Sequence, residues 1–452
     1  MKPVIRILIL LIAAALSTWM AAEMYMRYQR DLLWGYRPLL LFFALWALVV
    51  LLFPSRGQAG SRVRRRLGLV TLSGVLLSLG FPDLLPFPPV IFVGFVPLFI
   101  LEKELSEERG GTARQSVFAY AFLAFLLWNI LTTYWVANTA LAAGIFAILA
   151  NSLLMCIPFL LFHQTRAVMP RFAYVSLIAY WIVFEYAHMQ WELTWPWLTL
   201  GNSFAEWPWL VQWYEYTGAF GGTLWILAIN ILIFRIWQRY GDGEISYPAI
   251  AKISAWMLIP AAISLWMYFD YEESGETIEV VAVQPNYEPH YEKFAVSEYQ
   301  QLDRMLSLAD AALINTTDYV VYPETSFGYV IYDRIEEYPA VRRIRRFLQD
   351  HPQLTFVIGI SALDVLGPEE ERGPATRVQV RGGDTTYFES LNAAVQIRAG
   401  ERGIPLYRKS KLVPGAEIFP YRDLFWFFGP LIDKLQGTWE GTGTQRERSV
   451  LS

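Results

Sequence analysis

The chain has 452 residues, 55% of them hydrophobic and 16% aromatic, and only 17% charged. A soluble domain carries about 25% charged residues, so this composition excludes an ordinary soluble protein and points to membrane spans. The net charge of −4 speaks against a nucleic-acid partner, which needs a basic surface, and the single cysteine excludes an intrachain disulfide.

Up to about residue 270 the sequence is a series of long apolar runs. A bilayer core takes about 20 apolar residues per helix. Nine candidate spans follow in order: 4–22, 38–53, 66–81, 87–102, 115–137, 141–164, 172–189, 212–234 and 252–270. The first is kept as a helix rather than a signal peptide, because STWMAAEMYM is a poor cleavage region. Arginines and lysines crowd the loops after spans two, four, six and eight: Arg62, Arg64, Arg65 and Arg66; Lys103, Arg109 and Arg114; Arg166 and Arg171; Arg235, Arg239 and Lys252. The loops 82–86, 138–140 and 190–210 have none, although the first outer loop has Arg27, Arg30 and Arg37. Positive loops stay in the cytoplasm. The N-terminus is therefore expected inside, and everything after residue 271 outside the cytoplasm.

After that point strand and helix signals alternate. TIEVVAVQPN (277–286), DYVVYPE (318–324) and LTFVIGIS (354–361) read as strands. Residues 294–313 and 336–352 between them have helical periodicity. TRVQV, TTYFESLNAAVQIRA and IPLYRKSKL add further strands. Strand–helix–strand–helix–strand predicts an α/β domain with functional groups at strand ends. Glu324 stands at such an end, and Pro323 stops the ladder before it. It reads either as a solvated turn glutamate or as a chemical group. YRKSKLVPGAE adds Lys409, Lys411 and Glu417. A lysine near a carboxylate can stabilise a developing oxyanion, yet by itself a surface pair explains these lysines as well.

Taken together, VAVQPN, YPET and YRKSKLVPGAE resemble the nitrilase-like carbon–nitrogen hydrolase superfamily, whose enzymes use a Glu–Lys–Cys triad. With the apolar half, notably SGVLLSLGFPD, FLLWNILTTYWVANTA and WELTWPWLTLGN, the chain is most similar to the bacterial apolipoprotein N-acyltransferase family over about residues 66–450. The resemblance implies a polytopic α-helical membrane domain followed by a nitrilase-like α/β sandwich domain, incomplete at its C-terminal side. Expected divisions are an extra transmembrane hairpin at 1–65, the multi-span domain at 66–271 and an extracytoplasmic domain at 272–452. It implies Glu324 as general base, Lys409 as oxyanion lysine and Glu417 as a second active-site glutamate, with Asn392 of SLNAA beside them. Trp195 and Trp197, around Pro196, are implied to border the lipid-binding cavity.

The implied activity is last-step lipoprotein maturation in the bacterial inner membrane. A cysteine thiolate takes an acyl chain from a phospholipid donor as a thioester. The α-amino group of a diacylglyceryl-cysteine lipoprotein then takes it from the thioester, with no metal or cofactor. The family nucleophile is expected soon after a stretch like GTGTQRERSVLS, where this sequence ends. Cys156, within NSLLMCIPFLLF, follows no strand and reads as a buried apolar residue. A truncated enzyme, inactive as these 452 residues, is therefore expected. The alternatives are a non-catalytic lipid- or lipoprotein-binding relative and, more remotely, a transporter. The intramembrane Glu185 and His188, and Glu215, read as either functional or interfacial groups. Gly218, Gly221 and Gly222 are expected at close helix contacts, and Arg342, Arg343, Arg345 and Arg346 on a solvated helix face.

Overall fold

A computed structural model of the chain describes residues 3–30, 32–52, 57–82, 85–107, 113–138, 141–241, 247–288, 292–415, 417–428, 439, 441–445 and 447–451. Arg109, one of the loop arginines of the orientation pattern, lies outside them. The chain divides into two compact units, Met1–Glu272 and Glu273–Ser452.

The first unit is helical: α1 (Pro3–Tyr28), α2 (Arg37–Leu52), α3 (Gly57–Leu79), α4 (Ile91–Gly94), α5 (Val96–Glu107), α6 (Ala113–Thr133), α7 (Leu141–Val168), α8 (Ala173–Gln190), α9 (Tyr214–Gly241) and α10 (Tyr247–Asp270). All nine expected segments hold helix, and among the described residues five helices are long and apolar enough to cross a membrane: Val4–Tyr28, Val117–Asn138, Ala143–Val168, Tyr214–Tyr240 and Tyr247–Asp270. The others fall short for local reasons. The helix α2 has 16 residues, α3 opens on the four arginines, and α8 carries Glu185 and His188.

The expected span 87–102 is broken, which corrects the reading of it as one helix. A 3-10 turn at Pro88–Val90 leads into α4, and the helix restarts at Val96. Pro97 has no N–H to donate to the turn before it. The freed groups find side-chain partners. Asn230 accepts from the Phe95 N–H at 2.9 Å and donates to the Ile91 carbonyl at 2.9 Å, while Ser73 donates to the Gly94 carbonyl. A break among apolar helices is stable only when its backbone is satisfied in this way. The core around it is aromatic, with Phe95, Phe125, Trp128 and Trp181 all fully buried. Trp181 meets Phe95 edge-on at 5.0 Å and Phe125 tilted at 5.7 Å.

The second unit is a seven-stranded mixed sheet with helices. In chain order it comprises β1 (Val280–Ala282), α11 (Glu292–Ala295), α12 (Glu298–Ala312), β2 (Tyr319–Val321), β3 (Phe327–Ile331), α13 (Pro339–Asp350), β4 (Thr355–Leu366), β5 (Thr376–Arg381), β6 (Asp384–Arg398) and β7 (Leu406–Arg408). β1, β2 and β4 run parallel, and α12 and α13 lie between them in sequence. Such parallel neighbours require a crossover, and helices supply it. β6 runs antiparallel to β4 from Thr355↔Arg398 to Leu366↔Tyr387, and both β5 and β7 pair with β6.

Sequence explains the helices here. Ser297 and Gln300 form a reciprocal capping box at the start of α12. In α13, Ala340, Val341, Ile344 and Leu348 are buried at three- and four-residue spacing. Arg343 of the basic run pairs with Asp303, and Arg345 with Glu336.

Candidate active site

Glu324 follows β2 in a tight turn against β4. Tyr322 continues the pairing by donating its N–H to the Val357 carbonyl at 2.9 Å, and Ser326 returns to donate to the Gly359 carbonyl at 2.7 Å. A side chain at 359 cannot fit: an added Cβ would lie 2.6 Å from both Glu324 Cα and the Pro323 carbonyl oxygen. Thr325 takes φ 52°, in the left-handed region, which a β-branched residue rarely visits. Such strain costs on the order of 1–3 kcal/mol and needs surrounding contacts to hold it. The Ser326 hydroxyl, on Pro323 O at 2.7 Å, is one of them.

Asn392 comes from β6, opposite Ser361 of β4. Lys409 follows β7, and its N–H bonds the Asn392 carbonyl at 2.9 Å. The same β6–β7 pairing therefore sets both side chains. Arg408 anchors β7 from the side by its guanidinium on Asp364 at 2.5 Å. Glu417 sits in a tight loop, its N–H donating to Val413 O at 2.9 Å and its Oε2 accepting from Val413 N–H at 2.7 Å.

These four side chains meet. Lys409 Nζ lies 3.0 Å from Glu324 Oε1 and 3.0 Å from Glu417 Oε1. Asn392 Nδ2 donates to Glu417 Oε1 at 2.6 Å and also to Glu324 Oε1. The Glu324 side chain is 61% exposed, against 29% for Lys409 and 15% for Glu417, so the cluster is open on the Glu324 side. Burial pushes the Glu324 carboxyl up, but the hydrogen bonds from Asn392 and Lys409 and the charges of Lys409 and Lys293 outweigh it, holding the group below its ordinary range. Burial pushes the Lys409 ammonium down, yet its bonds to Glu417 and Glu324 keep it above the ordinary lysine range. Both groups are held in their charged forms. An ionised carboxylate can accept a proton, and an ammonium can stand by a developing oxyanion.

Three features of the site escape sequence reasoning: Lys293, Thr325 and Gly359. Lys293 donates to Thr325 Oγ1 at 2.6 Å and acts electrostatically on Glu324. Its one sequence signal is a position after the end of β1, where parallel sheets gather functional groups. Lys411 is exposed.

Trp195 and Trp197 belong to the first unit. Trp195 is half-buried with its indole N–H unpaired, and Trp197 is 56% exposed and meets Trp135 edge-on at 5.5 Å. Glu185 is buried and accepts from Trp181 Nε1 at 3.0 Å, the Leu200 N–H at 2.8 Å and Thr223 Oγ1 at 2.6 Å. This set of donors makes it a cross-link between α8, the 3-10 turn Leu200–Phe204 and α9. Glu215 is exposed in the first turn of α9. Gly222 does lie at a close contact, 2.8 Å from Gly201 Cα for an added Cβ. Gly218 does not: it has open space around it and φ 63°, a kink inside α9. Cys156 is 1% exposed and donates its thiol to the Ser152 carbonyl within α7.

Residues 73–232 match the profile of the apolipoprotein N-acyltransferase N-terminal domain. A protein named apolipoprotein N-acyltransferase from Chlorobaculum tepidum is 26% identical over 409 residues, covering 88% of this chain and 73% of the relative. The chain is similar to the apolipoprotein N-acyltransferases. Two further relatives with that name are similar at lower identity. The Geobacter metallireducens protein is 24% identical over 63% of this chain and 56% of its own length. Apolipoprotein N-acyltransferase 1 of Treponema denticola is 23% identical over 79% of this chain and 67% of its own. The chain therefore spans between 56% and 73% of the length of these apolipoprotein N-acyltransferases. The profile match begins within α3, after the hairpin made by α1 and α2.

Proposed function

We propose that the protein transfers an acyl chain from a phospholipid to the α-amino group of diacylglyceryl-cysteine lipoproteins. The convergence of Glu324 Oε1 and Glu417 Oε1 on Lys409 Nζ carries this reading. Glu324 is the base that takes a thiol proton, Lys409 stabilises the tetrahedral oxyanion, and Glu417 with Asn392 holds Lys409 and Glu324 in line. Trp195 and Trp197 border the lipid entry. The loop arginines support a cytoplasmic N-terminus and a periplasmic second unit at the inner membrane. Both substrates are membrane-anchored, which suits a site tied to a multi-pass unit.

The thiol of a thioester step is not Cys156, which is sealed inside α7. The 452-residue polypeptide alone is therefore expected to give no transfer. The test uses a strain depleted of its own apolipoprotein N-acyltransferase, with lipoprotein N-terminal peptides read by mass spectrometry. The 452 residues with a cysteine-bearing segment supplied restore N-acylation, and Glu324→Gln or Lys409→Met lowers it about 100-fold or more. Full activity in either variant, or transfer by the 452 residues alone, contradicts the mechanism. Lipid binding without transfer would instead identify a non-catalytic relative.

A further inference from the structure

Glu324 and Glu417 point their Oε1 atoms at the same two donors, Asn392 Nδ2 and Lys409 Nζ. Asn392 is neutral, so two carboxylates converge on one ammonium. Like charges sharing a site favour protonation of one of them, which would remove the base. A second cation restores the balance. Lys293, on α11, interacts electrostatically with Glu324 and donates to the hydroxyl of its neighbour Thr325 at 2.6 Å.

The lysine is itself held in place. Its N–H donates to the Glu288 carbonyl at 2.9 Å, and its carbonyl accepts from Gln301 Nε2 at 2.7 Å. Gln301 is buried on α12, among the residues that pack this unit's core. A buried amide used to fix one turn of backbone implies that the position of this turn matters. The Thr325 contact reaches the left-handed residue that aims Glu324, so Lys293 supports both the charge and the geometry of the turn.

We propose that Lys293 is a positioning residue of this site: it balances the Glu324–Lys409–Glu417 cluster and, through Thr325, steadies the turn that presents Glu324. The charged groups facing Glu324 are then Lys409 from the end of β7 and Lys293 from α11, with Glu417 from its loop across Lys409. The inference rests on the reading of Glu324 as the base.

Infrared titration of the carboxyl band tests it without substrate, Glu324→Gln serving to assign the band. Removing a nearby positive charge disfavours the carboxylate, so Lys293→Met is expected to raise the Glu324 midpoint by about 1 pH unit. Lys293→Gln keeps a donor for Thr325 and loses only the charge, and should raise it likewise. Lys293→Arg should keep the parent midpoint. A parent midpoint in either neutral variant, or a raised one in Lys293→Arg, overturns the proposal. Because the readout needs no turnover, it separates from the base assignment, which fails independently if Glu324→Gln leaves acyl transfer intact.

Discussion

At the scale of residues, the site depends on a few atoms that tolerate little displacement. Glu324 reaches Lys409 only because its turn lies directly against the backbone of β4 at Gly359. Gly359→Ala puts a methyl carbon about 2.6 Å from two backbone atoms, which no side-chain rotation relieves. The turn must move, and overpacking of this kind costs about 1–3 kcal/mol. A misplacement near 1 Å can cost about 100-fold in rate. On the proposed function, and with the cysteine-bearing segment supplied, Gly359→Ala is thus expected to lose most N-acylation while the protein still accumulates, measured by peptide mass spectrometry against immunoblot. Normal activity in that variant contradicts the geometry. Glu324, Lys409, Glu417 and Asn392, which the fold brings together, were legible as candidates because YPE, YRKSKLVPGAE and SLN resemble family motifs. Lys293 and Gly359 were not. A lysine in YEKF and a glycine in VIGIS look ordinary until folding brings them to Glu324.

At the scale of elements, polar side chains decide where apolar helices stop. Asn230 and Ser73 replace backbone bonds at the break between α4 and α5, so a run that looks like one span folds as two pieces. Hydropathy sees only the apolar average and cannot register that break. Glu185 has a related role, joining three elements through the Trp181, Leu200 and Thr223 donors. Glu185→Ala leaves the buried Leu200 N–H, Thr223 hydroxyl and Trp181 indole without their acceptor. Each orphaned group costs about 1–3 kcal/mol, so a loss of roughly 3 kcal/mol or more is expected. Glu185→Gln retains an acceptor oxygen and should lose less. Thermal unfolding in detergent checks the order, and equal stabilities in the two variants would remove the cross-linking role.

At the scale of the whole chain, two units bury separate kinds of core. The first packs aromatic rings among helices whose outer faces stay apolar, with Leu8, Leu11, Leu258 and Trp266 exposed. Large exposed apolar surface on helices long enough to span a bilayer belongs in lipid. Alkaline carbonate is therefore expected to leave the protein in the membrane pellet, and its release into the supernatant would contradict a multi-pass assignment. The second unit buries Val320, Phe356, Ile358 and Val395 of its sheet beneath Leu302, Ile344 and Leu348 of its helices. Sequence by itself determined the membrane character, the helical first half, the strand and helix order of the second and four polar residues of the candidate site that meet in it. These follow from composition, periodicity and local motifs, which act over a few neighbours in the chain. Only the tertiary structure decided the broken fourth span, the use of Glu185 and the approach of Lys293 to Glu324. Each of these joins residues between 15 and 139 positions apart. Such contacts arise from packing and from the need to satisfy buried polar groups, and no local pattern encodes them.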